Sequence, residues 1–228
     1  YREIPEETVR DLFVTLLSSE EFKQVGQIVE NRLGRNLEPF DIWYTGFRGG
    51  QAVPENQLDQ IVQKKYPNVD AFEDGIPAIL AGLGFDAQTA DFLESKIEVD
   101  PSRGAGHAMG AGRRSDNAHL RTRIPESGMN YKGYNIAIHE LGHNVEQVFS
   151  LNRIDYTLLQ GVPNTAFTEA FAFVFQARDL ELLGLSSDSA EQEHLMALNQ
   201  LWSVCEIAGV SLVDMGVWNW MYENPGAT

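Results

Sequence analysis

The stretch YNIAIHELGHNVEQVF, residues 134–149, holds His139 and His143 four residues apart, with Glu140 beside the first. On an α-helix, residues i and i+4 lie one above the other on one face, so two imidazoles there can reach a single metal ion. Glu140 is rotated about 100° away, too far to share that ion easily but close enough to reach a water bound on it. This is the His-Glu-x-x-His arrangement of zinc hydrolases. Zinc brings the pKa of its water to about 7. The glutamate takes the proton as the oxygen attacks a peptide carbonyl, then delivers it to the departing amine. Gly142, between the histidines, costs about 1 kcal/mol in a helix interior, which predicts that another segment passes close by. Ile136, Ile138, Leu141, Val145, Val148 and Phe149 surround the pair and make the helix buried. A His-Glu-His cluster without metal would carry a desolvation cost in such surroundings.

Zinc needs a third protein ligand and an open position. Glu146 and Phe149 stand where a metzincin has its glycine and third histidine, so that pattern fails. The single cysteine, Cys205 in LWSVCEIAGV, reads as packed core. Glu146 shares the helix with both histidines, and three ligands along one straight helix do not easily surround an ion tetrahedrally. It reads as a supporting group or a solvated charge. Glu169 is the better candidate. It lies in NTAFTEAFAFVFQ, far enough beyond His143 for a loop and a returning helix. A lone carboxylate among Ala, Phe and Val is costly to bury unless it is paired or bound to metal. The alternative is a first-turn glutamate favoured by the helix dipole.

The elements that must position these residues read as mainly α-helical. Apolar spacing predicts two helices in PEETVRDLFVTLLSSEEFKQVGQIVENRLG, the first opening at Pro5 and Glu6, the second with Ser18 and Glu21 as a capping box and Gly34 as a stop. Further helices are expected at 55–65, 70–82 and after Asp86, then at 131–152, 166–183, 188–208 and 211–222. IEVD and AHLRTRIP read as strands, and GAGHAMGAG between them is too flexible for a helix. The expected fold is a helical chain with one small β insertion before the histidine helix. The division is an N-terminal helical part, 1–96, and a zinc-binding part, 97–228, in one continuous domain.

Composition excludes several classes. The 228 residues are 43% hydrophobic and 22% charged, enough for a buried core. The formal charge of −16 excludes nucleic acid as a partner, since a phosphate backbone would be repelled. It also argues against anionic membranes, and no apolar run is expected to reach the roughly 20 residues of a membrane span. One cysteine permits no internal disulfide and points to a reducing, cytoplasmic location. A first residue Tyr1, with no signal pattern, suggests a fragment or trimmed chain.

The combination resembles the M3 metallopeptidases, the thimet oligopeptidase and oligoendopeptidase F relatives among the gluzincins. A His-Glu-x-Gly-His helix is followed about two dozen residues later by a glutamate on an antiparallel helix. VDPSRGAGHAMGAG resembles the family's stretch before that helix, and MNYKGYNIAIHELGH resembles its lead-in. The similarity covers roughly residues 97–176. It implies a zincin-like fold, Zn2+ held by His139, His143 and Glu169, Glu140 as general base, and hydrolysis of oligopeptides. It also implies that the strand near Ala108, Gly110 and Ala111 is an edge that hydrogen-bonds an extended peptide, as exposed edges can. The competing reading of those residues is a disordered loop. Ala172 stands where the family often has serine. The family's downstream His and Tyr oxyanion donors are not matched, the later residues of those types being His194 and Tyr222. Tyr131, Tyr134 or Tyr156 would then have to substitute. Arg113 and Arg114 read as a solvated turn or a carboxylate contact. Two other functions stay open at this point. One is a non-catalytic or truncated zinc-binding helical domain, and the other a metal-dependent amidase acting on a non-peptide amide.

Overall fold

The computed structural model describes residues 3–47, 53–185 and 190–226. In chain order they form α1 (Glu6–Leu17), α2 (Glu20–Leu33), a 3-10 turn (Pro39–Trp43), α3 (Glu55–Lys65), α4 (Val69–Glu73), α5 (Ile76–Gly82) and α6 (Ala87–Glu94). Three strands follow: β1 (Ile97–Pro101), β2 (His107–Met109) and β3 (Ala118–Thr122). The rest is α7 (Tyr131–Arg153), α8 (Thr165–Gln176), α9 (Asp179–Leu182) and α10 (Ala190–Glu223), with a short 3-10 turn at Thr157–Leu159. The chain is mainly α with one small sheet.

It divides into two compact units, residues 52–186 with 1–3, and residues 4–51 with 187–228. The boundary expected at 96/97 therefore falls inside the first unit. The reason is that α3 to α6 have no core of their own. Val62, Phe72, Ile76, Leu80 and Leu93 are fully buried in one cluster with Ile97, Leu120, Ile138, Leu141 and Val145 of the sheet and α7. Burying each such side chain contributes about 1.5–3 kcal/mol, so the two stretches are one cooperative body.

The sheet has the order β1-β3-β2. β1 runs parallel to β3 and β2 antiparallel to it. β3 alternates as the period of a strand demands: Ala118, Leu120 and Thr122 are buried, while Arg121 is exposed. The Thr122 hydroxyl donates to the carbonyl of Gly133 at 2.7 Å, tying the sheet to the start of α7. The segment containing Gly104 to Gly112 is thus neither helix nor simply loop. Three of its residues form an edge strand.

Several helices depart from expectation. Ser19, not Ser18, caps α2, accepting from the Phe22 amide at 3.1 Å. The 70–82 helix breaks at Asp74 and Gly75, where Pro77 suits the first turn of α5. The 166–183 helix breaks at Ala177 and Arg178, which turns Asp179 back toward α7.

In the second unit, the two expected C-terminal helices are one helix of 34 residues. Gly209 and Gly216 lie inside it. A glycine keeps the helical hydrogen bond that a proline would remove, so it weakens the helix without ending it. α10 packs on α1 and α2, with Trp202 against Phe22 and Phe47 and its indole N–H on the Ile42 carbonyl at 2.8 Å. Cys205 is buried, as expected of core. Between Glu193 and Glu223, α10 is long and apolar enough to cross a membrane by length and composition. This corrects the expectation that no segment reaches that length; the charged residues that made the run look short are spaced along a continuous helix.

Candidate metal centre

α7 begins where Asn130 accepts from the Gly133 amide at 2.8 Å, satisfying one of the orphan donors of the first turn. The helix runs 23 residues across the sheet, so its apolar face is pinned along its length. His139 and His143 project from the other side, two turns and three turns in. α8 starts with a second asparagine cap, Asn164 accepting from the Phe167 amide at 2.9 Å. It then packs tightly on α7. A Cβ on Gly142 would lie 2.7 Å from the Ala172 Cα, closer than real side chains come. The missing side chain therefore sets the separation of the two helices, as the cost of a mid-helix glycine implied. Ala172, where serine was the family residue, is the small partner in that contact.

This packing brings Glu169 to the histidines. His139 Nε2 lies 3.2 Å from His143 Nε2. Glu169 Oε2 lies 3.4 Å from His139 Nε2, and Glu169 Oε1 lies 3.5 Å from His143 Nε2. Three donors held about 2.0–2.1 Å from one ion at tetrahedral angles are separated by about 3.3–3.4 Å. The donor set and its spacing therefore fit a divalent metal with nitrogen and carboxylate ligands. Among the described residues no other cluster of this kind forms. The histidine side chains are 17% and 15% exposed and Glu169 is 44% exposed, so the group opens to solvent on the glutamate side. Burial pushes His143 below the ordinary histidine value, with Glu169 pulling the other way. The neutral imidazole that burial favours is the form that binds metal.

Glu140 stands apart from this triangle, as its position on the helix requires. It is half-buried, and its carboxyl lies against Gly106 in the loop before β2. A side chain on Gly106 would run into Ile136 and come within 3.0 Å of Glu140 Oε1. Glycine there lets the loop close over the helix.

The other expected residues are placed as follows. Ala108 is buried in β2, an edge of the sheet, and its carbonyl takes a long 3.4 Å hydrogen bond from Gln147 of α7. Gly110 lies against the same Gln147 side chain. Ala111 follows the strand and is half-buried. Tyr131 is turned elsewhere. Its hydroxyl donates to Asp179 Oδ2 at 2.8 Å, and burial raises its pKa. The Tyr134 hydroxyl donates to the Asp179 carbonyl at 3.2 Å. Tyr156 is exposed. Arg114 sits in a turn and donates to the carbonyls of Leu151 and Ile154 at 2.8 and 2.9 Å, closing the C-terminal end of α7.

Glu146 is not part of the group. It is half-buried on α7, and desolvation raises its pKa. A raised carboxyl makes folding costlier once the group is charged. That cost vanishes below the ordinary glutamate value and is complete above the raised one. Glu146→Gln is thus expected to raise the melting temperature at pH 7.5 and to leave it unchanged below about pH 4. Thermal scans at the two pH values check this; equal shifts at both would mean that ionisation is not the cause.

Residues missed in the sequence are Gln176 and Asn135. Gln176 Oε1 lies 3.1 Å from His139 Nδ1, and Gln176 Nε2 donates to Asn135 Oδ1 at 2.8 Å. The signal existed: Asn135 is one helical turn before His139, and Gln176 is two turns after Glu169, each on the same face as its ligand. No protein-family model, curated protein or solved structure matches the chain.

Proposed function

We propose that this chain is a zinc-dependent peptidase of the gluzincin type, M3-like, with a zincin-like fold in residues 52–186. The observation that carries the reading is the triangle of His139, His143 and Glu169 donor atoms, drawn from two helices, with Glu140 beside it and outside it. Zinc held there would supply a Lewis acid for the scissile carbonyl and a more acidic water. His139 and His143 serve as neutral donors, and Glu169 neutralises part of the charge. Glu140 takes a proton from the water that attacks the carbonyl carbon and returns it to the amide nitrogen as the C–N bond breaks. One water is consumed, and a carboxylate and an amine leave. The edge strand β2, beside Gly106 and Glu140, is the natural seat for an extended peptide.

The test has two parts. Protein purified without chelators is analysed for metal, then given a varied peptide pool. The expected result is about one zinc per chain and cleavage that chelator stops. No metal, even after zinc is offered to folded protein, overturns the proposal. Metal without cleavage replaces the peptidase with a zinc-binding module, and cleavage confined to non-peptide amides replaces it with an amidase.

A further inference from the structure

Behind His139 runs a line of polar side chains that ends on a buried carboxylate. Asp179 is 5% exposed. Its Oδ1 accepts from the Leu180 amide at 2.6 Å. Its Oδ2 accepts from Asn135 Nδ2 at 2.7 Å and from the Tyr131 hydroxyl at 2.8 Å. Asn135 Oδ1 accepts from Gln176 Nε2, and Gln176 Oε1 faces His139 Nδ1. Each amide in this line has a donor end and an acceptor end. A carboxylate can only accept. Asn135 must therefore turn its NH2 toward Asp179 and its oxygen toward Gln176. Gln176 must then turn its NH2 toward Asn135 and its oxygen toward His139. An imidazole facing that oxygen must carry its proton on Nδ1, which leaves Nε2 bare, and Nε2 is the atom in the ligand triangle.

We propose that Asp179 is a positioning residue for the metal centre: through Asn135 and Gln176 it fixes which nitrogen of His139 is open to metal. This rests on the metal reading above. A ligating histidine generally hands its other N–H to an acceptor, and losing that acceptor weakens binding about 10–100-fold. Here the acceptor is an amide, which could face either way. The carboxylate two residues further along decides its direction.

The line makes Asp179→Asn informative. The Leu180 amide is backbone and cannot turn away, whereas the Tyr131 hydroxyl and the Asn135 amide can rotate, so the new side-chain oxygen stays where Oδ1 was and an NH2 group takes the place of Oδ2. Facing it, Asn135 must rotate, and Gln176 with it. Gln176 then presents NH2 to His139 Nδ1, which moves the imidazole proton to Nε2. A second change restores the order. In Gln176→Glu/Asp179→Asn the glutamate accepts from His139 Nδ1–H and from the rotated Asn135, whose oxygen accepts from the new asparagine. Along the line from His139 to residue 179 every donor again meets an acceptor, the Tyr131 hydroxyl accepts from the new NH2 group in place of donating to Oδ2, and the net charge is that of the wild type.

Zinc affinity is measured by competition with a chromophoric chelator, alongside the melting temperature of the metal-free proteins. Asp179→Asn is expected to bind zinc about 10–100-fold more weakly, and the double variant to return within a few-fold of wild type. Should Asp179→Asn not fold, the double variant carries the test alone, since it must bind like wild type although it lacks Asp179. A folded Asp179→Asn with unchanged affinity, or a folded double variant that binds weakly, overturns the proposal while leaving the metal centre intact. Wild-type protein that binds no zinc removes the metal centre itself, and this role with it.

Discussion

Glu140→Gln is expected to lower peptide hydrolysis by about 10²–10⁴-fold while the protein keeps its full complement of zinc. The two halves of that expectation come from separate features of the site. Glu140 is outside the triangle of His139, His143 and Glu169 donors, so the substitution removes none of them. Its carboxyl lies against Gly106, and glutamine fills the same space. What is lost is the ability to take a proton and return it. Metal content and cleavage rate are measured on the same preparation. Retained activity would sink Glu140 as the base. Lost zinc would mean that its carboxylate holds the metal, directly or through a partner.

Gly142→Val is the second large effect. The first atom of any side chain at this position meets the Ala172 backbone, with Ala172 Cβ and Phe175 Cγ also at 3.3 Å. Backbone cannot swing aside as the end of a flexible side chain can. α8 must move away from α7, and Glu169 moves with it. Overpacking of this kind costs about 1–3 kcal/mol. The Glu169 to histidine distances of 3.4 and 3.5 Å would lengthen, so zinc affinity is expected to fall at least about tenfold. Gly209→Ala provides the contrast. That glycine also lies inside a helix, α10, but nothing stands within 4 Å of its missing Cβ. Alanine there should stabilise by about 0.5–1 kcal/mol, because only the helix propensity changes. Denaturant titrations of both variants check the pair. Equal, small effects would mean that the α7–α8 approach is not set by glycine.

These expectations also explain the placement of Glu169. Glu169 is the fifth residue of α8, past the first turn where the helix dipole acts, so the first-turn alternative does not account for it. Here its two oxygens face two different histidines. That arrangement depends on α8 starting at the Asn164 cap and resting on Gly142, not on the dipole.

Much of the candidate site was written in local spacing. His139 and His143 share a face because a helix turns every 3.6 residues, and Glu140 is off that face for the same reason. α7, α3, β1 and β3 follow from runs whose periodicity is unambiguous. Glu169 stands out in the sequence because a carboxylate amid Ala and Phe needs a reason to be there. The tertiary structure decided everything that depends on two segments meeting. It broke the helix after Gln176, where the chain turns Asp179 back to accept from Tyr131 and Asn135. It took the Tyr131 hydroxyl for that purpose and so removed it from the list of groups facing the metal centre. It made β2 from three residues of a glycine-rich run, because β3 offered an edge to pair with. It joined α3 to α6 to the part that carries the candidate metal centre, because their apolar faces close on the same core. Periodicity reports which side of an element is apolar. Which other element covers that side is a matter of packing between residues far apart in the chain, and no local pattern carries it.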